Sequence, residues 1–178
     1  MERLVAVRQL EDIFPVWRET PIERLLALQN LGAPLETPDK PELLIGMCMD
    51  YRKTLRIPDD YAYVLRAGGA NLRPSEFKVS FAIAIGGVRA IALIGHDGCG
   101  MVNLAAREDA FVQGLVDAGW DRESALDHFR GFAPHFEIGD EIDFVVEEAG
   151  RLRRRYPRVV VAPLFYRLDD DLLYQIRE

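Results

Sequence analysis

Cysteine and histidine are scarce in this chain. Its 178 residues include two cysteines, Cys48 and Cys99, and three histidines, His96, His128 and His135. Two cysteines cannot build a disulfide framework, and with no export signal in view they read as reduced thiols. Long apolar runs are also missing. None approaches the roughly 18 residues of a membrane span, so no membrane association is expected. The opening stretch, residues 1–14, carries acids early and lacks a signal-type apolar block, which points to a cytoplasmic protein. Positive charge is in deficit: 22 Lys and Arg stand against 29 Asp and Glu, a net charge of −7, which excludes general nucleic-acid binding. The one basic run, Arg151 with Arg153, Arg154 and Arg155, reads as a helix C-terminus whose cations suit the macrodipole rather than as a phosphate site. Repeats and low-complexity tracts are absent as well.

What is present suffices for one folded domain with an appended arm. Apolar residues make up 49% of the chain, enough for a core, and charged residues 29%, enough for a soluble surface. Residues 1–38 read as an N-terminal helical arm, with Thr20 as N-cap, Pro21 at the first helical position, and Gly32 and Pro34 as the stop. Residues 38–41 read as a linker, and residues 39–178 as an α/β domain. Short apolar runs at 43–47, 61–65, 88–95 and 158–162 suit strands of a mostly parallel sheet, four central strands in all, with 172–176 as an edge strand or short helix. Helical patterns cover 76–85, with Phe77, Phe81 and Ile85 on one face, then 102–118, 122–133 and 139–155. Strand, strand, helix, strand is the order of a right-handed parallel crossover.

Two strand ends carry the chemistry. The run at 43–47 delivers Cys48-Met-Asp50-Tyr-Arg52, and the run at 88–95 delivers His96-Asp-Gly-Cys99-Gly100. Sites in open parallel sheets form just beyond the carboxyl ends of the strands, where both motifs fall. Thiolate sulfur and imidazole nitrogen are the ligands zinc favours, and three protein ligands leave one position for water, the catalytic pattern. Taken singly, each cysteine reads equally as a small buried hydrophobe, and Asp50 with Arg52 as a surface ion pair. Three soft ligands at two strand ends, with glycines around one and an acid–base pair beside another, make the metal site the stronger reading. A helix starting near Gly100 would add its dipole in favour of the Cys99 thiolate. His128 and His135 lie among phenylalanines and read as packed or surface residues; Tyr51, Tyr61 and Tyr63 read as core.

Cys48-Met-Asp50-Tyr-Arg52 resembles the Cys-x-Asp-x-Arg motif of the β-class carbonic anhydrases. Residues 95–101 resemble that family's His-x-x-Cys-Gly signature, and residues 65–71 are similar to its Arg-Asn-Ala-Gly segment, with Ala67 where the family has asparagine and the asparagine at Asn71 instead. The resemblance covers residues 40–105 firmly and residues 145–176 loosely. It implies zinc held by Cys48, His96 and Cys99, and reversible hydration of carbon dioxide to bicarbonate. It also implies that Asp50 orients the attacking water, that Arg52 holds Asp50 off the metal, and that the chain forms at least a homodimer with its arm laid over the partner, covering Leu25, Leu26 and Leu28. Hydrolysis of carbonyl sulfide or carbon disulfide on the same zinc is a second reading. A non-enzymatic zinc-stabilised module is a third, which has no use for Asp50 and Arg52 and would usually supply a fourth soft ligand.

Overall fold

The computed structural model describes residues 3–34 and 39–178. The strands are β1 (Leu4–Val5), β2 (Leu43–Met47), β3 (Tyr63–Arg66), β4 (Ala90–His96), β5 (Val160–Tyr166) and β6 (Leu173–Ile176). They form one sheet in the order β1-β6-β5-β4-β2-β3. The block from β5 to β3 is parallel; β6 runs antiparallel to β5, and β1 antiparallel to β6. The helices are α1 (Pro21–Leu31), α2 (Glu76–Ala84), α3 (Glu108–Asp117), α4 (Arg122–Phe136) and α5 (Glu141–Arg155). The class is the α/β fold expected from the pattern, with a mostly parallel sheet. The expected linker begins at Pro38, outside the described residues.

Every residue of β2 and of β4 is buried, as strands covered on both faces require. Their side chains alternate between two cores with the period of two that a pleated strand imposes. Leu43, Ile45 and Met47 join Ala90, Ala92 and Ile94 on one face, where Ile22, Leu25 and Leu26 of α1 cover them together with Ile13 and Trp17. Leu44, Ile91 and Leu93 face the other way, beneath Val79 and Ala82 of α2 and Val145, Ala149 and Leu152 of α5. α1 starts as expected: Thr20 Oγ1 accepts the Ile22 N–H at 3.2 Å, and Gly32 ends the helix at φ 62°.

Four expectations change. Of the tyrosines read as core only Tyr61 is buried, Tyr51 being 91% and Tyr63 38% exposed. Leu25 and Leu26 are fully buried against their own sheet, so no partner is needed to cover them. The strand at 173–176 is not an edge, because β1 pairs outside it; two residues are too short for any periodicity to announce. On α2, Val79 and Ala82 take the inward side, which leaves Phe77 80%, Phe81 54% and Ile85 72% exposed. An apolar stripe was visible there, but the helix is apolar on both sides and the pattern cannot tell which side meets the sheet.

Candidate metal centre

Parallel register brings the two motifs together. Met47 stands opposite Ile94, so the chain leaves β2 at Cys48 beside Gly95 and His96, the last residues of β4. Gly95 has no room for a side chain, since a Cβ there would lie 2.9 Å from Val145 Cγ2 and 3.1 Å from the Glu141 carbonyl; this lets the start of α5 close over the strand end. The chain then turns at Asp97–Gly98, with Gly98 at φ +63°, and returns Cys99 to the site.

Cys48, His96 and Cys99 are buried, and their ligand atoms all lie within 4.8 Å of one another. The two sulfurs are 3.8 Å apart. Two sulfurs about 2.3 Å from a zinc ion at the tetrahedral angle stand about 3.8 Å apart, so the pair already has the edge length of a zinc site. His96 Nδ1–H donates to the Asp97 carbonyl at 2.9 Å, which turns the Nε2 lone pair inward. Buried Nε2 has no partner among the described residues, the condition of a ligand awaiting its metal. The donor set fits zinc.

The contact between the two sulfurs lowers the pKa of the Cys48 thiol and raises that of Cys99. A dication would displace the thiol protons. Backbone amides help: those of Asp50 and Gly69 act on the Cys48 sulfur, and those of Met101 and Gly69 on Cys99. No helix begins at Gly100; a turn and a short 3-10 segment, Leu104–Arg107, precede α3. The expected helix dipole is therefore replaced by individual N–H groups, because the chain turns away too sharply after Cys99 to start a helix.

Asp50 and Arg52 flank this group. Arg52 Nε donates to Asp50 Oδ1 at 3.0 Å and Nη2 to Oδ2 at 2.6 Å, while the Arg52 backbone N–H adds a bond at 2.9 Å. The guanidinium holds the Asp50 carboxyl well below the usual carboxylate range. Arg52 Nη2 also donates to the Gly98 carbonyl at 3.0 Å, tying the two strand-end loops together. Asp50 Oδ2 lies 4.0 Å from His96 Nε2, within a small rotation of the metal position. Each of the five residues picked out in the sequence is thus in one place.

Three further participants escaped sequence reasoning. Nothing in the string shows that the Gly69 amide lowers both thiols. Asn71 is buried, donates to the His135 carbonyl at 3.1 Å and accepts from Arg73 N–H at 3.1 Å, so it fixes the loop to the end of α4. Lys53 is 2% exposed beside the site. His128 packs with Phe111, Trp120 and Phe132 on the wall of the cavity beside the centre, and His135 is exposed. A cavity of about 550 Å³ opens beside the centre, lined by Met49, Met101, Phe111, Phe129, Phe132 and Phe136 among others.

No protein-family model matches the chain, and no curated protein matches it in sequence. Solved structures do match. A β-carbonic anhydrase of Trichomonas vaginalis superposes with a TM-score of 0.65 at 20% identity, over 84% of this chain and 91% of that one. A carbonic anhydrase of Glaciozyma antarctica gives 0.61 at 21% identity, over 93% of this chain and all of that one. The chain has the β-carbonic anhydrase fold. A carbon disulfide hydrolase in its apo form shares it, with a TM-score of 0.57 at 16% identity over 88% of this chain and 87% of that one. Set on the β-carbonic anhydrase fold, the three segments that resemble the family's motifs, residues 48–52, 65–71 and 95–101, converge at the carboxyl ends of β2, β3 and β4. The departure at Ala67 is absorbed locally: its N–H bonds the Met47 carbonyl at 2.9 Å, and Asn71 anchors the far end of the loop.

Proposed function

We propose that this protein is a zinc-dependent carbonic anhydrase that reversibly hydrates carbon dioxide to bicarbonate, with zinc held by Cys48, His96 and Cys99. The observation that supports this most is the tetrahedral edge between Cys48 and Cys99, with the orphaned His96 Nε2 beside it and the Asp50–Arg52 pair one turn of chain away. Zinc bound there supplies a Lewis acid and a water acidic enough to ionise near neutral pH. Asp50 orients the attacking water by accepting its hydrogen bond, and Arg52 keeps Asp50 from turning onto the metal. The apolar cavity receives a substrate that carries no charge. On this reading residues 39–178 hold the whole centre, and Ile13, Trp17, Ile22, Leu25 and Leu26 of the arm cover one face of its sheet. Free thiols as ligands suit the reducing cytoplasm.

The site is also read as part of a homodimer. Exposed Phe77, Phe81 and Ile85 of α2 adjoin Tyr63 and Val64 of β3, whose outer edge is unpaired among the described residues. An apolar patch along a free strand edge is a surface that soluble proteins cover. The partner surface is therefore assigned to α2 and β3 and not to the arm.

Hydrolysis of carbon disulfide or carbonyl sulfide is the second reading, favoured by the cavity's Met and Phe lining, which suits sulfur-bearing apolar molecules, and by the likeness to a carbon disulfide hydrolase. Parallel assays on zinc-loaded protein decide between them. Hydration of carbon dioxide well above hydrolysis of either sulfide supports the first reading; the reverse supports the second.

A further inference from the structure

The α3–α4 hairpin has a small core of its own, Val112, Ala125 and Phe129, separate from the two that sandwich the sheet. The chain enters the hairpin through residues 101–104 and leaves it through residues 135–139. Both stalks rest on the metal centre, where Met101, Val102 and Ile138 pack against Cys48 and Cys99. A left-handed residue bounds the hairpin on each side, Asn103 at φ 55° and Gly139 at φ +67°. One side chain joins the two ends. Glu137 Oε1 accepts the Asn103 N–H at 2.9 Å and the Gly139 N–H at 3.0 Å, and its Oε2 accepts the Leu104 N–H. The Ile138 N–H adds a backbone bond between the stalks, to the Met101 carbonyl at 3.2 Å.

The hairpin also walls the cavity beside the centre. Phe111 and Phe132 come from its helices, while Met49, Gly68, Gly100 and Met101 come from the loops around the metal ligands. The seat of the hairpin therefore decides how wide the cavity is. Bonds from backbone N–H groups to a carboxylate are charge-assisted and belong to the stronger class. A supersecondary unit with its own core is the kind of segment that opens locally, below the cost of global unfolding. We propose that Glu137 is a positioning residue: its carboxylate clasps the two ends of the α3–α4 hairpin over Cys48 and Cys99, and so sets how large a molecule reaches them. Its consequence for substrate choice rests on the carbonic anhydrase reading, in which the two thiolates hold the reacting metal.

Cys48 and Cys99 are the chain's two cysteines, so thiol labelling of metal-free protein reads the centre without any assay of activity. Wild type, Glu137→Gln, Glu137→Ala and Glu108→Gln are compared with iodoacetamide, a small reagent, and fluorescein maleimide, a bulky one. Urea unfolding gives the global stability of each. Glu108→Gln is the control, since it breaks the Glu108–Arg130 pair between the two helices and leaves the base of the hairpin intact. Loss of the charge-assisted bonds predicts labelling of Glu137→Ala by the bulky reagent faster by about tenfold or more, with a smaller gain for the small reagent. Glu137→Gln should fall between, because its carbonyl still accepts, and Glu108→Gln should match wild type. Wild-type labelling of folded Glu137→Ala overturns the proposal. So does an equal gain with both reagents that tracks the loss of global stability, and so does a gain in Glu108→Gln as large as that in Glu137→Ala. Hydrogen exchange on wild type needs no variant to fold: the amides of α3 and α4 are expected to exchange together and faster than those of β4, and exchange in step with β4 overturns the clasp. Zinc-loaded wild type that hydrates no carbon dioxide, with labelling as expected, overturns the carbonic anhydrase reading alone.

Discussion

Gly69 offers a direct test of how the centre is built, because two independent penalties meet there. The residue sits at φ +63°, where an L side chain crowds its own backbone at a cost of about 1–2 kcal/mol. A Cβ would also lie 2.6 Å from Ile138 Cγ2 and 2.9 Å from Ile138 Cδ1. Such overpacking costs about 1–3 kcal/mol in a filled core. Gly69→Ala is therefore expected to lose about 2–5 kcal/mol of stability as the sum of those two ranges, a large part of the total for an ordinary domain. The same displacement moves the amide that serves both sulfurs, so zinc affinity should fall too. Urea unfolding measures the first effect and competition with a chromogenic chelator the second. Ile138→Ala separates the penalties: in that background the clash is gone, and Gly69→Ala should cost only the backbone share, about 1–2 kcal/mol. Strict additivity of the two substitutions, or a loss below about 0.5 kcal/mol for Gly69→Ala alone, would refute the reasoning.

Arg52→Ala should retain zinc, because Arg52 is no ligand, but slow hydration on the order of a hundredfold as Asp50 loses its hold and turns onto the metal; an unchanged rate makes Arg52 a surface charge. Asp50→Ala should fail differently, with a crystal structure showing water or a buffer anion, not a carboxylate, in the fourth metal position. Phe81→Glu should leave the fold intact by circular dichroism and shift light scattering from dimer to monomer; a persistent dimer moves the interface elsewhere. Glu42 accepts hydrogen bonds from Arg89 and Arg24, and these hold its carboxyl below the usual value. A depressed native pKa means that the unfolded chain binds more protons, so the stabilisation is complete above the unfolded value of about 4.3 and is lost as the pH falls through the lower native value. Glu42→Gln should thus be less stable than wild type at pH 7, with the gap closing in acid; a gap that does not change with pH contradicts the assignment.

The central strands were legible because a strand buried on both faces needs a continuous apolar run, and residues 43–47 and 88–95 are such runs in a polar chain. The ligands were legible because soft donors are so few. Cys48 and Cys99 are both of the chain's cysteines and His96 is one of three histidines, and all three stand at or just after a strand end. Long-range choices were not legible. Which side of α2 meets the sheet depends on Leu44 and Leu93 across the fold, and Phe77 and Phe81 look equally suited to the core. Leu25 and Leu26 announced an apolar helix face, but not that their own sheet would receive it. Gly69 and Glu137 stayed silent for a related reason: an amide that lowers two thiols and a carboxylate that joins both ends of a helical hairpin are properties of the assembled site, not of local spacing.

The central claim is that this centre hydrates carbon dioxide on zinc, and stopped-flow hydration by purified protein of known zinc content tests it most directly. Protein carrying about one zinc per chain is expected to accelerate hydration well above the buffer rate. Cys48→Ala, His96→Ala and Cys99→Ala are each expected to lose most of the metal and the acceleration together. Protein with a full complement of zinc and a hydration rate no faster than buffer would contradict the account.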